Sequence, residues 1–396
     1  MKRLPDARVR ARAATVVAIA LAAVLLVSGC APSGVRSTPP PATASATPTA
    51  PADPVTAFAR ERLSTMTLRQ KVASLFMLHQ PGTDGVALRA FIDRYGLGGM
   101  ILMGDNIPAT PAALTNQTAA MTSDTALPPL IAIDEEGGEV VRLPWDRLPG
   151  ADVLKSRPAA ETRAAFAQRG ALLKQAGVNV NFGTVADVTA DPESFIYDRV
   201  LGSTTADASA RVAASVAGEA GETLSTLKHF PGHGETEADS HLTVPATQTP
   251  LATWKTRDAP TFAAGIRSGA QVVMFGHLAY SAVDREPASL SAAWHRILRQ
   301  QLGFDGVTIT DDMRMLQDTG LPEYRDPAEN AVRALAAGNT MLLFVLPADP
   351  EAAGMDPDTL IDAVVAAVGS GRITAAQIDA DALELLELRR SLAEER

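Results

Sequence analysis

A closed (β/α)8 barrel is the fold this 396-residue sequence predicts, and three observations carry that expectation. Short apolar runs, often β-branched, recur eight times along the chain. Alanine-rich stretches with helical spacing of apolar residues separate them, and clusters of charge and glycine stand just past several of the runs. Repeated strand-helix units imply a parallel sheet covered by helices. Eight units allow the sheet to close into a single TIM-type barrel, an α/β architecture whose active site lies at the carboxyl ends of the strands.

The expected strands are residues 74–78, 99–103, 130–133, 178–182, 225–229, 271–274, 307–310 and 340–345. Helices are expected at 160–176, 208–220 and 328–337, where alanine favours the helix and the apolar spacing makes a core-facing stripe. A last helix at 376–394 ends the domain. The competing open, doubly wound sheet wants a glycine-rich phosphate turn after its first strand, and His79-Gln80-Pro81-Gly82 stands there instead.

Lys2, Arg3, Arg8, Arg10 and Arg12 precede an apolar run at 13–27, too short for the roughly 20 residues that span a membrane. Residues 1–29 therefore read as a signal peptide. Its end, Val27-Ser28-Gly29-Cys30, resembles a bacterial lipobox. That resemblance implies that Cys30 becomes the acylated first residue of the mature chain, held to the outer face of the cytoplasmic membrane. Cys30 is also the only cysteine, so no disulfide can form within the chain. Residues 30–54 continue as a tract rich in Pro, Ala, Ser and Thr, which cannot bury enough apolar surface to offset its ordering entropy and reads as a disordered tether. The remainder, 55–396, reads as one domain, since α/β barrels run past 250 residues as single units. A net charge of −10, with acidic and basic residues intermixed, argues against a nucleic-acid partner.

The densest chemistry lies in KHFPGHGETEADSH, from Lys228 to His241, with three histidines and three carboxylates beside two glycines and a proline. His229 and His233 are four apart, as in a helical zinc motif, but Pro231 and Gly232 between them oppose that helix, and no metal is expected. Asp239-Ser240-His241 offers another chemistry, because a carboxylate beside an imidazole can accept its proton, orient the ring and stabilise its charged form. A solvent-exposed histidine in a polar loop is the plainer alternative. Asp311 follows the run 307–310, so a rigid strand can aim its carboxylate into the barrel mouth as a nucleophile. Taken alone, the pair Asp311-Asp312 would serve equally as a helix cap or a magnesium ligand.

Across nearly all of the chain after the tether, the order of motifs resembles glycoside hydrolase family 3, in its single-domain, NagZ-type β-N-acetylglucosaminidases. The residues that carry the resemblance are MTLRQKV (Met66 to Val72), GGMIL (Gly98 to Leu102), IAIDEEGGEVVRLP (Ile131 to Pro144), KHFPGHG followed by DSH, and TITDDM (Thr308 to Met313). It implies Asp311 as nucleophile, His241 as acid/base and Asp239 as its dyad partner. It further implies that Asp134, Arg142, Arg199, Lys228 and His229 bind the sugar hydroxyls, a task suited to charged groups with directional hydrogen bonds. Structural ion pairing is the alternative role for Asp134, Arg199 and Arg142. The chain departs from the family pattern at Glu135, where Gln is common, at Tyr197, where Gly is usual, and at Asn339, which replaces a common Asp.

The activity so implied is retaining hydrolysis of terminal N-acetylglucosamine from peptidoglycan-derived fragments, without cofactor or metal. No second domain is expected after the barrel, so the acid/base must come from the loop. A β-glucosidase or β-xylosidase, a phosphorylase, a metal-dependent hydrolase and an inactive lipoprotein that binds wall fragments are the alternatives.

Overall fold

The computed structural model describes residues 53–236 and 238–394. The expected signal peptide, Cys30 and nearly all of the expected tether lie outside the described residues. Eight parallel strands form the sheet: β1 (Phe76–Leu78), β2 (Gly99–Leu102), β3 (Leu130–Ile133), β4 (Val180–Val185), β5 (Leu224–Phe230), β6 (Val272–Phe275), β7 (Val307–Thr310) and β8 (Leu342–Phe344). Each lies beside its neighbour in sequence, and β8 returns to β1 with Phe76 opposite Leu342. The remaining seam closes where Ile309 of β7 bridges Met341 and the Met313 N–H donates to the Leu343 carbonyl at 2.9 Å. The expected barrel is the observed one.

All eight strands are buried on both faces, and β1, β3, β6 and β8 accordingly read as unbroken apolar runs, whereas β4, β5 and β7 also bury polar side chains. Outside the strands lie α1 (Gly85–Tyr95), α2 (Pro111–Ala120), α3 (Ala159–Gln175), α4 (Thr205–Glu219), α5 (Ala259–Arg267), α6 (Ala292–Gln301), α7 (Pro327–Ala337) and α8 (Pro357–Gly369). Side chains of Asp84, Thr110, Thr204, Ser291, Asp326 and Asp356 accept the first free N–H groups of α1, α2, α4, α6, α7 and α8. Those caps turn the chain from the strand ends into the covering helices. Behind β5 and β6, Phe230 meets Trp254, Phe262, Phe275 and Trp294 edge to face, with ring centres 4.9–6.0 Å apart.

Two further helices, Pro54–Thr65 and Ala375–Glu394, pack together around Ala59, Leu127 and Leu386. Arg389 donates to the carbonyls of Leu127 and Pro128, just before β3, so this pair covers the amino-terminal end of the barrel, opposite the mouth. Six of the eight expected strands differ from the observed ones by one to three residues at an end, and two of these differences have a visible cause. The chain at Ser74 is still finishing the helix Leu68–Ala73, capped by Thr67 and Gln70, so β1 starts at Phe76. β4 runs on to Val185, and the register shifts between β4 and β5 and between β5 and β6. Such bulges re-aim side chains at barrel rims.

Candidate active site

Strand β3 delivers Asp134 to the mouth, and β5 delivers Lys228 and His229. The Lys228 ammonium is buried between two carboxylates, donating to Asp134 at 2.8 Å and lying 2.7 Å from Glu136. Asp134 also receives the Arg142 guanidinium at 3.4 Å, while Glu136 receives Arg199 through both Nε (3.0 Å) and Nη2 (2.8 Å). The result is an alternating ladder, Arg142–Asp134–Lys228–Glu136–Arg199, crossing the mouth over three strands. Burial opposes the charges of Lys228, Glu136 and Arg199, and their partners outweigh it. Lys228 is held above its ordinary value by Asp134 and Glu136, and Glu136 is brought down to about 2 by Lys228 and Arg199. Lys228, Glu136 and Arg199 therefore stay ionised at neutral pH, and Asp134 with Arg142 forms the more open end of the ladder.

The ladder continues into His229, whose Nε2 lies 3.4 Å from Arg199. Its Nδ1 is 2.8 Å from the carboxylate of Asp187, two residues past β4, so Nδ1 carries a proton and Nε2 faces the mouth. Asp187 is fully buried and also accepts the backbone N–H of His229 and, at 2.7 Å, that of His233. Burial pushes its carboxyl up, but His229 and His233 together hold it below its ordinary value. The peptide bonds Lys228–His229 and Phe230–Pro231 are cis. His233 is buried against Phe195, its Nδ1 is 2.5 Å from the Thr236 hydroxyl, and burial pushes it down to about 4, which leaves it neutral.

Asp311 and Asp312 follow β7 and have opposite environments. Asp312 turns inward, where its carboxylate accepts the N–H groups of Arg314 (3.1 Å) and Val345 (2.9 Å), and burial pushes it up to about 7. Asp311 accepts only the N–H of Asp312, at 2.8 Å, among the described residues. Burial works against its charge, yet His229, the Asp312 N–H and Lys228 bring it down to about 2. His277 beside it is itself pushed down by burial. It is neutral at neutral pH, fixed between the Ser289 hydroxyl (2.7 Å) and the Asp312 carbonyl (2.9 Å). Asp311 is thus an ionised carboxylate with an oxygen left over, beside an array of donors.

The loop after β5 carries the other candidate pair. His241 Nδ1 lies 2.7 Å from Asp239, whose carboxylate also accepts the His241 N–H at 3.0 Å. The His241 side chain is 62% exposed, and among the described residues no hydrogen bond ties it to the ladder or to Asp311. The stem of the loop is firm: Glu235 pairs with Arg257, and Ala246–Thr247 runs parallel to Ala279–Tyr280. The expected residues Asp134, Arg142, Arg199, Lys228 and His229 are thus joined in one network, and Asp239 with His241 forms a separate, more open unit. Sequence assigns no role to Glu136, Asp187 or His277, although Glu136 and His277 stand in polar clusters just past expected strands. Nothing local in IAIDEEGGEVVRLP marks Glu136 as the partner of Lys228 and Arg199. Asp187 stands past a strand that looked finished at residue 182.

Comparison with known proteins bears on this arrangement. The sequence model of the Glycosyl hydrolase family 3 N terminal domain matches residues 67–388. A protein named Beta-hexosaminidase from Methylococcus capsulatus is 32% identical over 309 residues, covering 74% of this chain and 90% of that protein. A glycoside hydrolase family 3 beta-N-acetylglucosaminidase from Paenibacillus sp. superposes with a TM-score of 0.75 at 31% identity, over 83% of this chain and 63% of the other. A Beta-N-acetylhexosaminidase from Beutenbergia cavernae does so with a TM-score of 0.70 at 31% identity, over 82% of this chain and 98% of the other.

Proposed function

This chain belongs to glycosyl hydrolase family 3, and from that premise we propose that it is a retaining exo-β-N-acetylglucosaminidase releasing terminal N-acetylglucosamine from peptidoglycan-derived fragments. The observation that carries the reading is the convergence of one ionised, under-bonded carboxylate, Asp311, with an ionised ladder of hydroxyl-binding groups at the barrel mouth. Asp134, Arg142, Lys228, Arg199 and His229 hold the sugar, because a buried charged donor left without its hydroxyl partner discriminates strongly.

In the first step an Asp311 oxygen attacks the anomeric carbon from the face opposite the leaving group. The glycosidic bond breaks, and the leaving oxygen takes a proton from His241. In the second step His241 takes a proton from water, the water oxygen attacks the anomeric carbon, and the Asp311 carboxylate leaves with overall retention. The openness of the Asp239–His241 pair suits it to a proton that must pass to a departing aglycone and then come from water. The proposal extends to the cell envelope: acylation at Cys30 would hold the enzyme outside the cytoplasmic membrane, where wall fragments are released.

A panel of aryl β-glycosides, assayed with and without phosphate, tests the reading. The N-acetyl-β-glucosaminide is expected to be cleaved best, giving free sugar with phosphate present. Equal or faster cleavage of the β-glucoside, or sugar phosphate as product, would contradict it.

A further inference from the structure

Between β3 and Arg142 the chain makes a tight hairpin, and its anchor lies in the residue next to Asp134. We propose that Glu135 is the positioning residue for Arg142, its buried carboxyl holding the returning arm so that the guanidinium stays beside Asp134 at the mouth.

Glu135 is fully buried, and a single oxygen, Oε2, accepts two consecutive backbone N–H groups, those of Arg142 (2.9 Å) and Leu143 (3.0 Å). Nearer the tip, the N–H groups of Glu136 and Gly137 donate to the Val140 carbonyl at 3.0 and 3.2 Å, and Gly137 and Gly138 turn with φ of 82° and 67°. The turn itself is therefore glycine-rich and thin, and the carboxyl of Glu135 fixes where it returns. The anchor is in turn clamped. Asn181 of β4 accepts the Glu135 N–H and donates to the Glu135 carbonyl, both at 3.1 Å, and its amide also donates at 2.6 Å to Glu219, which ends α4. Ser225 of β5 donates to the same Glu219 at 2.5 Å. A continuous brace thus runs from β5 and α4 through Asn181 to Glu135 and on to the backbone of Arg142.

The second carboxyl oxygen, Oε1, is buried with no hydrogen-bond partner among the described residues. Burial pushes the group up to about 8, against the Arg142 and Leu143 N–H groups. Asp146, after the hairpin, adds to the rise, and Arg169 of α3 opposes it. At neutral pH the group is an acid, with Oε2 accepting both amides and the proton on Oε1. Glutamine reproduces that shape. As pH rises toward about 8 the opened hairpin, whose Glu135 would ionise in water, gains on the closed one, where the buried carboxyl resists ionisation.

The inference rests on Arg142 being a sugar-binding residue, and the experiment separates the two. Steady-state kinetics of the full chain on an aryl N-acetyl-β-glucosaminide would compare wild type, Glu135→Gln, Glu135→Met and Arg142→Ala between pH 6 and 9. Glu135→Gln is expected to keep the wild-type KM at pH 6 and to lose the rise in KM expected of wild type as pH climbs toward 8. Glu135→Met fills the space without an acceptor and is expected to raise KM about tenfold while kcat changes less than about threefold. A wild-type KM for Glu135→Met, with a raised KM for Arg142→Ala, overturns the inference alone. A wild-type KM for Arg142→Ala overturns the reading of Arg142 and the inference with it. Should Glu135→Met fail to fold, Glu135→Asp, one methylene short of the Arg142 and Leu143 N–H groups, takes its place, and a wild-type KM in that variant overturns the inference.

Discussion

Asp311 and Asp312 show how little separates the proposed nucleophile from a structural carboxylate. Both follow the same strand, yet Asp312 is held by two backbone N–H groups on one oxygen and pushed up to about 7 by burial. Asp311 accepts one N–H and, against burial, is brought down to about 2 by the charged groups around it. Asp312→Asn keeps the shape of a group that is largely protonated below about pH 7, so most activity is expected to survive on any aryl substrate. The dyad gives a second residue-level test. Asp239 is pushed up by burial, but the His241 N–H and ring win and hold it below its ordinary value, so it is an anion wherever the enzyme works. Asp239→Asn removes a charge that stabilises imidazolium, and a lower kcat with the basic limb of the pH profile moved to lower pH is expected. His241→Ala should hurt poor leaving groups most, and azide should restore turnover as a β-glycosyl azide. Full activity of His241→Ala on a natural disaccharide would move the role to another loop residue, Glu235 first.

At the level of elements, the rim that carries the proposed site depends on β4 and β5 running farther than the other barrel strands and shifting register as they end. Gly183 sits within β4, where a Cβ would press on the Asn181 amide and lie 2.7 Å from the Glu135 carbonyl. Gly183→Ala is therefore expected to lower Tm and raise KM together, because the brace under Arg142 is what it disturbs. A normal KM in that variant would show the brace to be slack. Most of the strands were legible because a barrel strand buried on both faces is apolar at most of its positions. The end of β4 was not, because Asn181, Gly183 and Thr184 look like a loop until their burial and partners are known. The same reason hid Asp187, whose value lies in contacts from β4 to β5 that no local pattern displays. His229, Lys228, Asp134 and Arg199 were found through motif order, and their mutual pairing came only from the fold.

For the whole molecule, charge burial sets the pH of greatest stability. Glu135, Glu219, Asp258, Asp312 and Asp381 are all pushed up by burial, to values from about 7 to about 8. A group raised in the folded state stabilises it fully below its unfolded value, near 4, and loses that contribution as pH rises through the folded value. Glu136 has the opposite sign, contributing above about 4 and losing it as pH falls toward 2. Calorimetry is thus expected to give a higher Tm at pH 5.5 than at pH 8.5, with the slope reduced in Glu219→Gln. A Tm that climbs over that range would contradict the burial of these groups as neutral acids. The proposed anchor is independent of this balance. The helix Pro54–Thr65 joins the barrel at the end opposite the mouth, so Cys30→Ser should abolish detergent-dependent membrane attachment without changing kcat/KM. Attachment that persists in that variant would remove the lipoprotein proposal.

The assignment of Asp311 as the nucleophile is tested most directly by trapping the glycosyl-enzyme with a mechanism-based fluorosugar and sequencing the labelled peptide by mass spectrometry. A single label on Asp311, absent in a folded and inactive Asp311→Ala variant, is the predicted result. A label on Asp312 or Asp239 would contradict it.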